Sequence, residues 1–129
     1  MFRAHGFDFL RLRSRTLPPA DHTNCVIAGA SRALVIDPGS PFKSEQRKLQ
    51  ERARALPGVA GVLLTHHHHD HTGGAAALCQ ALNVPLFAHP ETLARLDGPL
   101  QRLDLRPVTG GDQLEAAPGL TLELLHTPG

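Results

Sequence analysis

The sequence predicts an α/β fold built in one domain from its 129 residues. Short apolar segments alternate with segments rich in helix-forming residues, in the order ββαβαβαβ. Pro and Gly residues separate most of these segments, as expected at turns. Hydrophobic residues make up 41% of the chain and charged residues 19%, a composition typical of globular proteins rather than disordered ones.

Three strands are predicted in the N-terminal third. Phe7 to Leu12 alternates apolar with polar residues, and Pro18-Pro19 follows it as a stop. Asn24 to Ala28 and Ala33 to Asp37 are apolar runs joined by a Gly-Ala-Ser turn, which predicts a β-hairpin. Pro38-Gly39 ends the second of these strands.

The middle of the chain alternates helix and strand. Ser44 to Leu56 is rich in strong helix formers, with Ser44 as the predicted N-cap and Pro57-Gly58 as the stop. Val59 to Thr65 is then predicted as a strand and Gly73 to Leu82 as a helix.

The C-terminal third contains shorter elements. Val84 to Ala88 and Leu120 to Leu125 are predicted strands, and Pro90 to Leu96 is a predicted short helix. Turns are predicted at Pro107, Gly110-Gly111 and Pro118-Gly119.

The charge balance gives no basis for a nucleic-acid or membrane partner. Thirteen Lys and Arg oppose twelve Asp and Glu, for a formal net charge of +1. An N-terminal cluster of arginines is interpreted as a solvated strand face rather than a phosphate-binding strip. Its members are Arg3, Arg11, Arg13 and Arg15. No segment has the apolar pattern of a signal peptide or a membrane span.

The two cysteines, Cys25 and Cys79, are far apart and have no neighbouring partner in the sequence. This spacing excludes a disulfide framework and a Cys-x-x-Cys zinc ribbon. A cytoplasmic protein is expected.

A segment reading THHHHDHTGG lies between a predicted strand and a predicted helix, and it contains the pattern His-x-His-x-Asp-His. If the strand continues into the motif, His66 and His68 point to one side and can chelate one ion. Asp70 and His71 then fall where the backbone turns into the helix, which would re-aim them toward a second ion. The two glycines lack a Cβ and are expected to let the helix start pack closely. The pattern predicts a transition-metal site with four ligands.

Imidazole and carboxylate ligands suit zinc, and the absence of a nearby Cys disfavours a purely structural zinc site. A purification tag is disfavoured because tags lie at chain termini. An adventitious surface cluster would not require the Asp, the final His and the two glycines in this order. A catalytic zinc centre is therefore the favoured interpretation.

Together with Asn24-Cys25-Val26, Val35 to Gly39 (VIDPG) and His126 to Gly129 (HTPG), the motif resembles the metallo-β-lactamase-fold hydrolases over most of the chain. The glyoxalase II (hydroxyacylglutathione hydrolase) branch is similar at THHHHDH. The ribonuclease and thioesterase branches are similar in layout. The resemblance implies an αββα sandwich. Residues 1–129 would be the N-terminal portion of that single domain, with its β-sheet and helix half present and its C-terminal half absent.

The resemblance also implies the roles of individual residues. His66 and His68 would bind a first zinc, and Asp70, also assigned the catalytic role, would bind a second together with His71. Metal-bound hydroxide would attack an ester, thioester or related bond. Asp37 would lie behind the ligands and accept an imidazole N–H, although an Asp before Pro-Gly is also a common turn former.

The remaining ligands of the family pattern would lie beyond Gly129, so the 129-residue chain alone is expected to be inactive or nearly so. The alternatives left open are an iron-dependent persulfide dioxygenase-like oxidoreductase, a metallo-ribonuclease and an inactive truncated metal-binding fragment. The expected partner is a small-molecule substrate. A sheet with helices on one face would expose its other, apolar face, so self-association through that face is a further expectation.

Overall fold

A computed structural model of the chain describes residues 2–4, 7–13, 22–65, 69–117 and 120–124, and at residues 2–4, 8, 22, 23, 69 and 70 it describes the backbone alone. The strands are β1 (Phe2–Ala4), β2 (Phe7–Arg13), β3 (His22–Ala28), β4 (Ala33–Ile36), β5 (Val59–Leu63), β6 (Leu86–Ala88), β7 (Leu105–Pro107), β8 (Gln113–Ala117) and β9 (Leu120–Glu123). The helices are α1 (Lys43–Arg54), α2 (His69–Thr72), α3 (Ala75–Leu82), α4 (Pro90–Ala94) and a 3₁₀ helix at Gly98–Arg102.

Strands β1 to β7 form one sheet in sequence order. The first four strands pair antiparallel, whereas β4, β5, β6 and β7 pair parallel. Each new parallel strand is added on the same side of the previous one. Since crossovers between parallel strands are right-handed, the connecting helices all fall on one face of the sheet.

The hydrophobic core lies between this face and the helices. Helix α1 contributes Leu49 and Ala53, four residues apart, and α3 contributes Ala75, Leu78 and Cys79 at helical spacing. The strands contribute alternate residues, including Val35, Val62 and Leu86, each less than 1% exposed. The core therefore holds the parallel strands in place. The motif that follows β5 begins at the end of one of them.

The opposite face of the sheet is also apolar. The register places five apolar side chains in one row across β2 to β6. They are Phe9, Val26, Ile36, Leu63 and Phe87. Their exposure falls from 39% at Phe9 to 7% at Leu63. The sequence predicted that this whole face would be exposed, and the structure shows that part of it is covered.

The hairpin of β8 and β9 packs beside this sheet. The carbonyl oxygen of Ala116 accepts hydrogen bonds from the backbone N–H groups of Ala30 (3.2 Å) and Arg32 (3.0 Å), in the turn between β3 and β4. Gly29 takes a positive φ of 92°, and a Cβ there would lie 2.4 Å from the same oxygen. The hairpin thus depends on a glycine in that turn.

Most predicted elements are confirmed, with bounds shifted by a few residues, but two details are wrong. Ser44 is not the N-cap of α1: Phe42 holds that position without a side-chain cap, and its carbonyl accepts the N–H of Gln46. Strand β5 ends at Leu63 and does not continue to Thr65, and a helical turn begins at His69 within the motif. The alternation of side chains along a strand therefore cannot set the side-chain directions of the whole motif.

Within the described ranges, no helix combines the length and the apolar character needed to cross a lipid bilayer.

Candidate metal centre

The candidate site lies where β4 and β5 end side by side. The backbone N–H of Asp37, which follows β4, donates to the carbonyl oxygen of Leu63 at 3.0 Å and so continues the pairing one residue past the strand. Asp37 then takes a left-handed conformation with φ 54°. Asp tolerates this region better than most residues, because its short side chain can hydrogen-bond locally. The turned backbone directs the carboxylate toward the end of β5.

The carboxylate of Asp37 accepts three hydrogen bonds although the residue is only 6% exposed. Its Oδ1 accepts the backbone N–H of Thr65 at 2.8 Å, and its Oδ2 accepts the hydroxyl of Thr65. The same Oδ2 lies 2.9 Å from Nδ1 of His71. Such donors compensate a buried negative charge for its lost hydration.

The contact between Asp37 and His71 determines the tautomer of the ring. A carboxylate accepts hydrogen bonds, so Nδ1 of His71 carries the hydrogen and the lone pair of the neutral ring lies on Nε2. This is the arrangement in which a histidine can coordinate a metal through Nε2 while a carboxylate holds its other nitrogen. The chemistry of these side chains therefore fits a zinc or iron ligand at His71.

The structure describes only part of the predicted ligand set. His66 and His68 lie outside the described residues, and Asp70 is placed through its backbone alone, in α2 beside His71. In the part of the chain whose side chains are described, no three His, Cys, Asp or Glu residues come together as a metal site. Metal binding by these four residues, and the role of Asp37 behind them, stay predictions.

Gly74 holds the start of α3 against the loop that follows β4. Its N–H donates to the carbonyl oxygen of Pro38 at 2.7 Å. A Cβ at this position would lie 2.8 Å from the carbonyl oxygen of Ser40 and 2.9 Å from that of Pro38. The close approach expected of the glycines is present at Gly74, and it ties the C-terminal end of the motif to the loop that follows Asp37.

Thr65 is the residue of this site that the sequence interpretation missed. It was predicted only as the last residue of a strand, yet it supplies two of the three hydrogen bonds to Asp37. The usable signal was its position: a hydroxyl residue directly after one buried strand, next to a strand that ends in Asp. Parallel neighbours end at the same edge of a sheet, so the two side chains meet there.

Neither cysteine is suited to serve as a ligand. Burial, and secondly the charge of Asp37, raise the pKa of the Cys25 thiol well above its usual range. Burial also raises the pKa of Cys79, to about 12. Metals bind the thiolate, which both environments disfavour.

Comparison with known proteins identifies the family. Residues 18–129 match the model of the metallo-beta-lactamase superfamily. The hydroxyacylglutathione hydrolase of Aeromonas hydrophila is 38% identical over 119 residues, which are 86% of this chain and 41% of that protein. The hydroxyacylglutathione hydrolase of Thiobacillus denitrificans is 40% identical over 102 residues, 78% of this chain and 35% of that protein. The chain thus spans about two fifths of the length of these relatives.

Solved structures agree with the fold. The Rm3 metallo-beta-lactamase superposes with a TM-score of 0.70 at 23% identity, covering 96% of this chain and 49% of that one. A protein crystallised in a di-iron-bound form gives a TM-score of 0.56 at 29% identity, covering 78% and 56%. Both comparisons confirm the predicted α/β architecture and cover only part of the larger fold. The chain belongs to the metallo-beta-lactamase superfamily.

Proposed function

We propose that this chain supplies the metal-binding motif of a zinc-dependent hydrolase that cleaves thioesters of the hydroxyacylglutathione class. The observation that carries the proposal is the contact between Asp37 and Nδ1 of His71, which leaves the ring in the tautomer that a metal ligand needs. The substrate class follows from the relatives named hydroxyacylglutathione hydrolase, at 38% and 33% identity for two of them.

In this proposal His66 and His68 hold one zinc, and Asp70 and His71 hold the second. When bound, the ions supply a water activated for attack at neutral pH and polarise the carbonyl oxygen of the substrate. The remaining ligands would come from outside the 129 residues, so the activity belongs to the protein that contains them.

In this proposal the described residues hold the His71 ring in position before the metal binds. Asp37 fixes the tautomer and orientation of the His71 ring, and Thr65 fixes Asp37 through two donors. The hydrogen bond from Gly74 to Pro38 keeps the helical part of the motif against the same loop. Preorganisation of this kind raises metal affinity because less ordering remains to be done on binding.

Iron is the competing metal, favoured by the neighbour solved in a di-iron-bound form. Imidazole and carboxylate ligands accept either ion. Iron would fit the alternative of a persulfide dioxygenase-like oxidation, which consumes oxygen, whereas hydrolysis does not.

The test is metal analysis of the purified chain, combined with thiol release from a hydroxyacylglutathione thioester by the protein that contains the remaining ligands. We expect bound zinc in the wild type, and a loss of zinc affinity of at least about tenfold in His71→Ala. His5→Ala removes a histidine outside the motif and serves as the matched control. Equal zinc content in wild type and His71→Ala would contradict the site. Bound iron with oxygen uptake and no thiol release would contradict the hydrolase.

A further inference from the structure

Strand β2 ends in an arginine at the edge of the sheet that carries the candidate metal centre. Strands β2 and β4 both pair antiparallel with β3, so they run in the same direction and end at the same edge. Arg13 is the last residue of β2, and Asp37 is the first residue after β4. Arg13 pairs with His22, whereas Ile36 pairs four residues further along β3, with Val26. Strand β2 therefore reaches about 13 Å beyond the end of β4.

The main chain of Arg13 is fixed to the loop between β4 and α1. Its carbonyl oxygen accepts the hydroxyl of Ser40 at 2.5 Å, and its N–H donates to Oε2 of Glu45 at 3.3 Å. Ser40 is only 1% exposed, and its own carbonyl oxygen would lie 2.8 Å from a Cβ at Gly74. A single residue, Ser40, therefore connects Arg13 with the backbone that follows the metal motif.

The guanidinium group of Arg13 uses its flat face for packing and keeps its edge available. Its Cζ lies 4.4 Å from the centroid of the Phe42 ring. Such stacking engages the face of the cation, whereas its five N–H donors lie in its plane. The neighbouring carboxylate of Glu45 is engaged by the N–H of Arg13 and, at 3.4 Å, by Nζ of Lys48. Among the residues that the structure describes, no carboxylate forms an ion pair with the exposed guanidinium.

We propose that Arg13 binds a carboxylate of the glutathione moiety of the substrate. The inference rests on the proposed function and adds a recognition residue to that site. Glutathione is a tripeptide whose two carboxylates lie on either side of the cysteine that forms the thioester. They are one to two residues of extended chain, about 4–7 Å, away from that cysteine. A carboxylate can accept two parallel N–H···O bonds from the edge of a guanidinium at once.

The structural contacts at position 13 do not need a cation. The hydrogen bonds with Ser40 and Glu45 are made by the main chain, which any residue except proline supplies. An uncharged side chain would also cover the Phe42 ring. The charge of Arg13 therefore has no structural task among these contacts. Stacking on Phe42 restricts the arginine before an anion binds, so less side-chain entropy is lost on binding.

Two substitutions and two substrates test the inference in the protein that contains the remaining ligands. Arg13→Lys keeps the charge and loses the planar donors, and Arg13→Gln loses both. We expect Arg13→Gln to raise KM for a hydroxyacylglutathione thioester about tenfold with kcat nearly unchanged, and Arg13→Lys to raise it less. The lactoyl thioester of N-acetylcysteamine has no carboxylate, so its KM should be the same in wild type and variants.

Arg95→Gln is the matched control for the loss of one positive charge. Arg95 is exposed at the C-terminal end of α4. Its substitution should leave KM for both thioesters unchanged. The inference is wrong if Arg13→Gln keeps the wild-type KM for the glutathione thioester, or if it raises KM for both thioesters alike. An equal rise of KM in Arg95→Gln would assign the effect to net charge and would also overturn it.

A second measurement does not need turnover. S-methylglutathione carries both carboxylates and no thioester. We expect it to shift the Nε–H signal of Arg13 saturably in ¹H–¹⁵N spectra of the chain and to leave that of Arg95 in place. If the wild type hydrolyses no thioester, the proposed function fails, and this shift then decides the inference. Absence of a shift at Arg13 would overturn it.

Discussion

Asp37 combines a costly backbone conformation with a buried charge. A left-handed residue costs roughly 1–2 kcal/mol in general, although less for Asp. The conformation is retained because the carboxylate then accepts three hydrogen bonds from Thr65 and His71. A simple turn former before Pro38 would not need those partners, so the geometry favours a positioning role.

The charge of Asp37 is tested by Asp37→Asn. Asn also tolerates the left-handed region, so the backbone should be kept, but its single oxygen cannot serve all three donors. We expect zinc affinity, measured by calorimetric titration, to fall about 10- to 100-fold. Asp104→Asn, at an exposed carboxylate paired with Arg106, is the control and should bind zinc as the wild type does. Unchanged affinity in Asp37→Asn would remove the positioning role.

The buried thiol of Cys79 makes stability depend on pH in the alkaline range. Burial raises its pKa in the folded chain to about 12 from the ordinary value of 9.0. The stabilisation is fully present below pH 9.0 and is lost progressively as pH rises toward 12, because only the unfolded chain releases the proton there. Cys79→Ala should therefore show a shallower fall in the free energy of unfolding across this range, measured by denaturant titration. Identical slopes for both proteins would show that the thiol is not protected by the fold.

At the scale of elements, the start of α3 is fixed by one close backbone approach. Gly74→Ala would place a Cβ within 2.9 Å of two carbonyl oxygens, which are backbone atoms and cannot move aside cheaply. We expect a loss of about 1–3 kcal/mol in the free energy of unfolding. The added methyl group would overpack this contact and distort the hydrogen bond from the N–H of residue 74 to the carbonyl oxygen of Pro38. Gln80→Ala, on the exposed side of α3, should change it by less than about 0.5 kcal/mol. A Gly74→Ala variant as stable as this control would show that the helix can shift outward.

Several elements of this fold are predictable because their sequence patterns are unambiguous. Helix α1 and strands β3, β4 and β5 carry either many helix formers or continuous apolar runs. Strands β1, β7 and β8 were not predicted. β1 and β7 have three residues each and lie at the two edges of the sheet, and β8 carries polar Gln113 and Glu115 instead of a continuous apolar run. Ser44 has the chemistry of an N-cap, but Phe42 holds that position and the helix begins at Lys43.

The residues of the candidate site also fall into those that the sequence predicts and those that it does not. The metal motif and Asp37 stand out because their residue types are unusual at strand ends. The part that Thr65 plays depends on which strands are neighbours, and a sequence without register cannot supply that information. Strand order in the parallel half of the sheet is therefore the step that turns separate residues into a site.

At the scale of the molecule, the two faces of the sheet are covered unequally. The helices pack on the face where the core lies, whereas the hairpin of β8 and β9 is hydrogen-bonded to the turn between β3 and β4. The apolar row from Phe9 to Phe87 is most exposed at its β2 end, where Phe7 and Phe9 lie with ring centroids 6.5 Å apart. Phe9 is the large apolar side chain that is exposed among the described residues, and an exposed apolar side chain beside further partly buried ones is a candidate interaction surface.

We therefore expect the chain to self-associate through this face, and the test is sedimentation velocity over a range of concentrations. Phe9→Lys places a charge in the apolar row and should shift the distribution to monomer. Gln80→Lys adds the same charge on the exposed side of α3 and should leave association unchanged. A wild type that stays monomeric at every concentration would contradict the expectation. If Phe9→Lys still associates, the contact lies on another surface, because burying a lysine ammonium without a partner has a high free-energy cost.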